Sequence, residues 1–275
     1  YEINIGDWSS DVCSSDLHWF TGQVWANKFG FSFYAPKLAD LFTFYFSSLI
    51  LCDSNSQKLF LRKQGFYFKD INVLGRGSVC GINENIFNIT RKKGNNNKFR
   101  IGIVGRISVD KGSFWLLNFV KNNLKQLSNI EFIFFGSFDE EVELINLFSD
   151  NVKILNENIK IIGQINDPVN IYSHFDCLLQ PSFREGFSNV IIEAQGASIP
   201  VISRNIYGTK SSLIENLTGF FFNSDEELLN MILLLKNNSK LYDYLSLNAK
   251  NFVAENFKRT HVIDIITNFY LNKTK

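Results

Sequence analysis

The sequence predicts an α/β protein built on a doubly wound parallel sheet, and three observations lead there. Short apolar runs alternate with stretches of helical spacing along most of the chain. The runs are apolar at most positions, as strands covered on both faces are. Glycine-containing turns follow several of them. With 275 residues, 45% hydrophobic and 20% charged, the chain has material for one large or two ordinary domains.

Taken in order, a helix is expected over residues 35–46, and "LILCDS" then reads as a buried strand ending at Asp53. "SQKLFLRKQG" is a helix closed by Gly65, and "INVLG" a second strand running into a glycine-rich turn. Strand, helix, strand is the tail of one α/β domain. The Asn- and Gly-rich stretch at residues 94–98 marks a boundary, and a fresh domain starts there. Its strands are "FRIGIVG", "EFIFFG", "IKIIG", "CLLQPS" and "PVIS". Its helices are "GSFWLLNFVKNNLKQL", "DEEVELINLF", "VNIYSHF", "SNVIIEAQGA" and a terminal set. In such sheets ligands bind outside the carboxyl ends of the strands.

One stretch does not belong to this pattern. "DWSSDVCSSDL" has neither strand alternation nor helical spacing, and it resembles the in-frame translation of a sequencing adapter. Residues 1–17 are therefore expected to be a non-native leader, with the native gene continuing upstream of His18; a disordered acidic leader is the other reading. The net charge of +1 gives no basic excess for nucleic acid, and "RKKGNNNK" reads as a solvated linker. Cys13 falls in the leader, while Cys52, Cys80 and Cys177 lack metal-binding spacing, which fits a reducing compartment. No apolar run reaches the roughly 18 residues of a spanning helix.

Three signals fall at carboxyl ends of strands. "VGRISVDKG" presents Arg106 and Lys111, a bidentate fork and a compact charge suited to a diphosphate; ordinary surface charges are the alternative. "PSFREGFSNVIIEAQG" places Glu185 and Gly186 in a turn before a helix capped at Ser188, a seat for an anion. Glu185 suits sugar hydroxyls and Glu193 a ribose diol, because a carboxylate only accepts hydrogen bonds. The alternative is a solvated Glu185 and a Glu193 paired to a cation. The loops carrying Gly136, Gly163, Gln164 and Ile165 can enclose a nucleobase, or merely make turns.

Together "VGRISVDKG", "PSFREGFSNVIIEAQGASIPVIS" and "LTGFFF" resemble the donor domain of retaining sugar-nucleotide glycosyltransferases of family 4, with the GT-B fold of two Rossmann-like domains. Agreement runs from about residue 99 to residue 258. The resemblance implies that Arg106 and Lys111 bind the donor diphosphate beside Gly105. It implies that Glu185 and the backbone of Gly186, Phe187, Ser188 and Asn189 hold the transferred sugar, with Glu193 on the ribose and Gly136 and Ile165 near the base. Residues 18–93 resemble the end of the acceptor domain of bacterial enzymes that build surface polysaccharides. That domain is expected to be largely truncated, the donor domain at 94–258 complete, and a helix at 259–275 to return toward the first domain. His18 corresponds to a histidine near the reacting sugar, or is a plain loop histidine.

The function so implied is retaining transfer from a UDP- or GDP-sugar to a saccharide or lipid-linked saccharide, with a peripheral contact at the inner face of the cytoplasmic membrane. No cofactor or metal is expected, since no Asp-x-Asp pair occurs. A catalytically inactive sugar-nucleotide binder is the competing reading. An NAD(P) oxidoreductase fails, because "GRGSVCG" is followed by no helix and lacks the last glycine at the right spacing. Phe42, Phe44, Phe46 and Leu49 are expected to have faced the missing half-domain, and exposing them invites association.

Overall fold

The structure is a computed structural model and describes residues 17–26, 28–90, 98–155, 157–165 and 167–273. Cys13, most of the expected leader and nearly all of the linker lie outside the described residues.

Two parallel sheets form. The first pairs β1 (Leu17–Phe20) with β2 (Leu49–Cys52), connected through α1 (Phe31–Phe46) and followed by α2 (Asn55–Lys63). The second contains β3 (Phe99–Val104), β4 (Ile130–Phe135), β5 (Ile159–Gly163), β6 (Cys177–Gln180), β7 (Val201–Arg204) and β8 (Gly219–Phe222). Their order is β5-β4-β3-β6-β7-β8, so the chain reverses direction across the sheet between β3 and β6. Around it lie α3 (Ser113–Asn122), α4 (Val142–Ile154), α5 (Pro168–Ile171), α6 (Asn189–Gly196), α7 (Asp225–Asn237), α8 (Ser239–Asn256) and α9 (Arg259–Lys273). The expected α/β class is what the structure has.

Strand alternation divides the core in two. Ile101, Ile103, Phe132 and Phe134 join one cluster with Phe119 of α3, Phe148 of α4 and Ile232 of α7. Ile133, Phe135 and Leu178 join the other with Ile191 of α6 and Val253 of α8. Gly102 lets the Phe175 ring lie on the sheet, since a Cβ there would come within 2.3 Å of it.

Four local expectations need correction. "INVLG" forms a single bridge from Asn72 to Leu51, because the chain turns away at Gly75 and Gly77, both at positive φ. β8 lies inside the stretch read as a terminal set of helices. α1 begins at Phe31, carrying Pro36 inside it. Phe44 is buried while Phe42 and Phe46 are 65% and 59% exposed. At 100° per residue a two-residue step crosses the helix, so these three cannot share a face. Ile82 and Ile86, ahead of residue 94, belong to the core of the larger sheet.

The units meet through small residues and hydroxyls. Phe60 stacks on Tyr207 at 4.1 Å, and the Ser56 and Ser211 hydroxyls lie 2.7 Å apart. A Cβ on Gly75 would lie 2.9 Å from Ile265 of α9. Among the described residues no helix is long and apolar enough to cross a membrane.

Candidate active site

The loop after β3 and the loop after β6 are pressed together at the point where the sheet reverses. Gly112 takes a left-handed conformation at the start of α3, and a Cβ there would lie 2.4 Å from the Pro181 carbonyl oxygen. That close approach brings Lys111 to Glu185, with Nζ 2.8 Å from Oε1. Gln180, buried at the end of β6, donates to the same oxygen at 2.7 Å and to the Ser182 hydroxyl at 2.9 Å. Glu185 is thus held in place from two directions.

Arg106 pairs with Asp139 and lies 3.7 Å from Asp110. Asp110 also accepts from Arg184 at 3.3 Å. Burial opposes its charge, yet the Ser108 hydroxyl, Arg184, Lys111 and Arg106 outweigh it and hold its carboxyl below the ordinary value. An open cleft of about 250 Å³ results. Arg106, Asp110, Lys111, Arg184, Glu185 and Gly186 line one side, and Gly22, Gln23 and Val24 from the first unit the other. The units touch here: a Cβ on Gly186 would lie 1.5 Å from the Thr21 carbonyl oxygen.

Glu193, in the second turn of α6, accepts from the Tyr172 hydroxyl. Burial lifts its carboxyl above the ordinary range, against that bond and the Arg259 charge. Ser188 is buried at the cap position of α6, but its hydroxyl makes no capping bond. Asn189 accepts from the Ser78 hydroxyl at 3.2 Å, and the Phe187 ring packs on Phe257. Gly105 and Gly136 lie back to back, since a Cβ on Gly136 would lie 2.0 Å from the Gly105 oxygen. Their N–H groups go to the Phe135 and Gly163 carbonyls, so neither is free for a base. Ile165 is partly buried against the second core cluster.

His18 is in a strand rather than a loop. It shares a face of β1 with Phe20, their rings 4.3 Å apart, and it does not line the cleft. Burial lowers its pKa, against the pull of Asp40. Asp110, Gln180 and Arg184 were not anticipated. A polar residue closing the apolar run "CLLQ" was the available signal for Gln180; Asp110 and Arg184 lie inside the quoted motifs.

The model of the family described as glycosyl transferases group 1 matches residues 85–252, more than half of the chain. The chain belongs to the group 1 glycosyl transferases. It is 27% identical over 252 residues to the capsular polysaccharide biosynthesis glycosyltransferase CapM of Staphylococcus aureus, covering 88% of this chain and 66% of that protein. A UDP-Gal:alpha-D-GlcNAc-diphosphoundecaprenol alpha-1,3-galactosyltransferase of Escherichia coli is 25% identical over 185 residues, covering 64% of this chain and 46% of its own. This group 1 chain therefore spans about half to two thirds of the length of these relatives. HepE of Anabaena, solved with UDP and glucose, superposes with a TM-score of 0.77 at 18% identity, covering 92% of this chain and 70% of that one. Sucrose-phosphate synthase of Thermosynechococcus elongatus gives 0.78 at 17% identity, covering 94% and 67%. The fold is α/β and GT-B-like.

Proposed function

We propose that this group 1 protein transfers a glycosyl group from a UDP- or GDP-sugar to a saccharide hydroxyl, with retained anomeric configuration, in the assembly of a surface polysaccharide. The observation that carries this reading is the cleft between the two units. Three cationic side chains and two carboxylates, Asp110 and Glu185, converge there, at the reversal point where parallel α/β sheets bind ligands.

The chemistry follows from charge. As the glycosidic bond to the diphosphate breaks, negative charge grows on the leaving oxygens and the sugar becomes oxocarbenium-like. Arg106, Lys111 and Arg184 stabilise that state more than the ground state. Lys111 must then share itself between Glu185 and a phosphate, and Arg106 between Asp139 and a phosphate. Glu185 receives sugar hydroxyls, and Glu193 a ribose diol in place of the Tyr172 hydroxyl. No metal is required in this scheme, because the cations supply the neutralising charge.

The proposed acceptor is a lipid-linked saccharide at the inner face of the cytoplasmic membrane. The E. coli relative, named for such an acceptor, supports this, as does the outer face of α1. There Phe31, Tyr34, Leu38, Phe42 and Tyr45 are exposed at helical spacing.

Incubating the protein with UDP- and GDP-sugars and polyprenyl-diphosphate saccharides, with products read by mass spectrometry and proton NMR, tests the proposal. An α-linked product from an α-linked donor is expected. Sugar-nucleotide binding with no transfer to any saccharide would favour the inactive-binder reading. No nucleotide affinity, or affinity unchanged in Glu193→Ala, would sink both.

A further inference from the structure

Arg204 is the last residue of β7, and its side chain reaches the loop that carries Glu185. Its Nε donates to the Pro181 carbonyl oxygen at 3.0 Å, the same oxygen against which Gly112 is pressed. The guanidinium lies 4.2 Å from the ring centre of Trp115 in the first turn of α3, 4.4 Å from that of Phe183 and 4.9 Å from that of Phe222 in β8. One side chain thus touches the start of α3, the turn before Glu185 and the edge strand. The residues after it press on the same turn, since a Cβ on Gly208 would lie 2.1 Å from the Glu185 carbonyl oxygen. The rings attract the cation, but burial opposes its charge and lowers its pKa against the pull of Asp225. Its Nη2 is buried and has no hydrogen-bond partner. A methionine could occupy the space between the rings without either cost, so the fold alone does not account for a guanidinium here.

We propose that Arg204 is a positioning residue for the Lys111–Glu185 pair: by fixing the Pro181 peptide and the Phe183 ring against α3, it holds the two loops of the cleft in register for a sugar nucleotide. This deepens the sugar-nucleotide reading and rests on it. Arg204 does not line the cleft, so it acts through its neighbours rather than on a ligand. Lys111 directly precedes Gly112, and Glu185 closes the turn that starts at Pro181, so the Gly112–Pro181 contact sets their 2.8 Å pairing. The Phe183 backbone N–H, donating to the Asp110 carbonyl at 2.9 Å, ties the same two loops a second time. A guanidinium is planar with donors in fixed directions, so a bond at Nε and stacking on the rings together leave the Pro181 peptide one place to sit. A displacement of about an ångström there is enough to spoil the alignment of Glu185 with a sugar.

Arg204→Met is the direct test, because it fills the space between the rings and removes both the fork and the bond to Pro181. Whichever of UDP-glucose, UDP-galactose, UDP-N-acetylglucosamine and GDP-mannose binds wild type most tightly is titrated calorimetrically into wild type, Arg204→Met, Glu185→Gln and the double variant. The expected result is a loss of about tenfold or more for Arg204→Met alone and of less than about threefold when the same change is made in Glu185→Gln, where the carboxylate it holds is already gone. A general structural defect would cost the same in both backgrounds. Arg204→Lys, which keeps the charge and loses the planar fork, should bind as weakly as Arg204→Met. Should these variants melt too early, or Glu185→Gln bind too weakly to titrate, Phe183→Leu serves instead: it removes one stacked ring at a half-exposed position. Backbone hydrogen exchange over residues 183–186 should then quicken, and sugar-nucleotide affinity fall, while exchange in β3 and β4 stays as in wild type. Equal losses in the two backgrounds, unchanged affinity in Arg204→Met, full affinity in Arg204→Lys, or unchanged exchange and affinity in Phe183→Leu would overturn the inference. A wild type that binds no UDP or GDP species would instead overturn the sugar-nucleotide reading itself.

Discussion

The six-stranded sheet is covered on both faces, each with its own apolar cluster, whereas the β1–β2 pair has a single cluster and leaves the outer face of α1 bare. Polar burial differs in the same direction. In the larger unit the buried polar groups serve mainly the fold, as Asn158 does in donating to Leu127 and Ile130 carbonyls. In the smaller unit Gln23, Asp53 and Gln57 are buried where the two units meet. The larger sheet is therefore a finished scaffold for the cleft, and the smaller unit contributes a polar wall whose arrangement is completed by its neighbour.

The sharpest test of this contrast lies on one helix. Phe44→Ala should cost about 4 kcal/mol, since the ring is buried against Phe66. Phe42→Ala, on the bare face, should stay within about 0.5 kcal/mol and reduce self-association. Urea unfolding of both variants checks this. Equal losses would mean that the outer face is covered in solution.

Asp53 gives the next effect. Burial pushes its carboxyl up to about 7, with the Trp19 indole N–H acting against the shift. The folded protein then holds this proton more tightly than the unfolded chain, where the value is 3.8. Its contribution is complete below the unfolded value and is lost as pH rises toward 7. Between pH 5 and pH 8 that loss amounts to roughly 3 kcal/mol. Asp53→Asn stays neutral, so unfolding curves at the two pH values should differ by correspondingly less than those of wild type. An identical pH dependence would show that Asp53 is hydrated.

Gly186→Ala sharpens the comparison at the junction. A methyl group there collides with the Thr21 carbonyl, so the units must separate while the larger core is untouched. Turnover should fall about a hundredfold, because misplacing one wall by an ångström is enough. The melting of the larger unit should barely change. A large loss of stability with normal turnover would contradict this view of the junction.

Most strands of the larger unit were legible because burial on both faces makes them largely apolar, as Phe132 to Phe135 of β4 are. β8 escaped notice because four residues between helical stretches give little periodic signal. "INVLG" misled for the opposite reason: its composition suits a strand, but Gly75 and Gly77 end the pairing after one bridge. Arg106, Lys111 and Glu185 were singled out by type and position, and all three line the cleft. Their mutual pairing was not foreseen, because it depends on Gly112 meeting Pro181 across 69 positions of sequence. The wall formed by Gly22, Gln23 and Val24 was likewise invisible, since only the docking of the two units creates it.

The most direct measurement is a calorimetric titration of UDP and GDP into wild type, Lys111→Ala and Arg106→Ala. The account predicts saturable binding of at least one nucleotide by wild type and a loss of tenfold or more in each variant, with folding retained. A wild type that binds neither nucleotide, or variants that bind as tightly as wild type, would contradict the cleft as the sugar-nucleotide site.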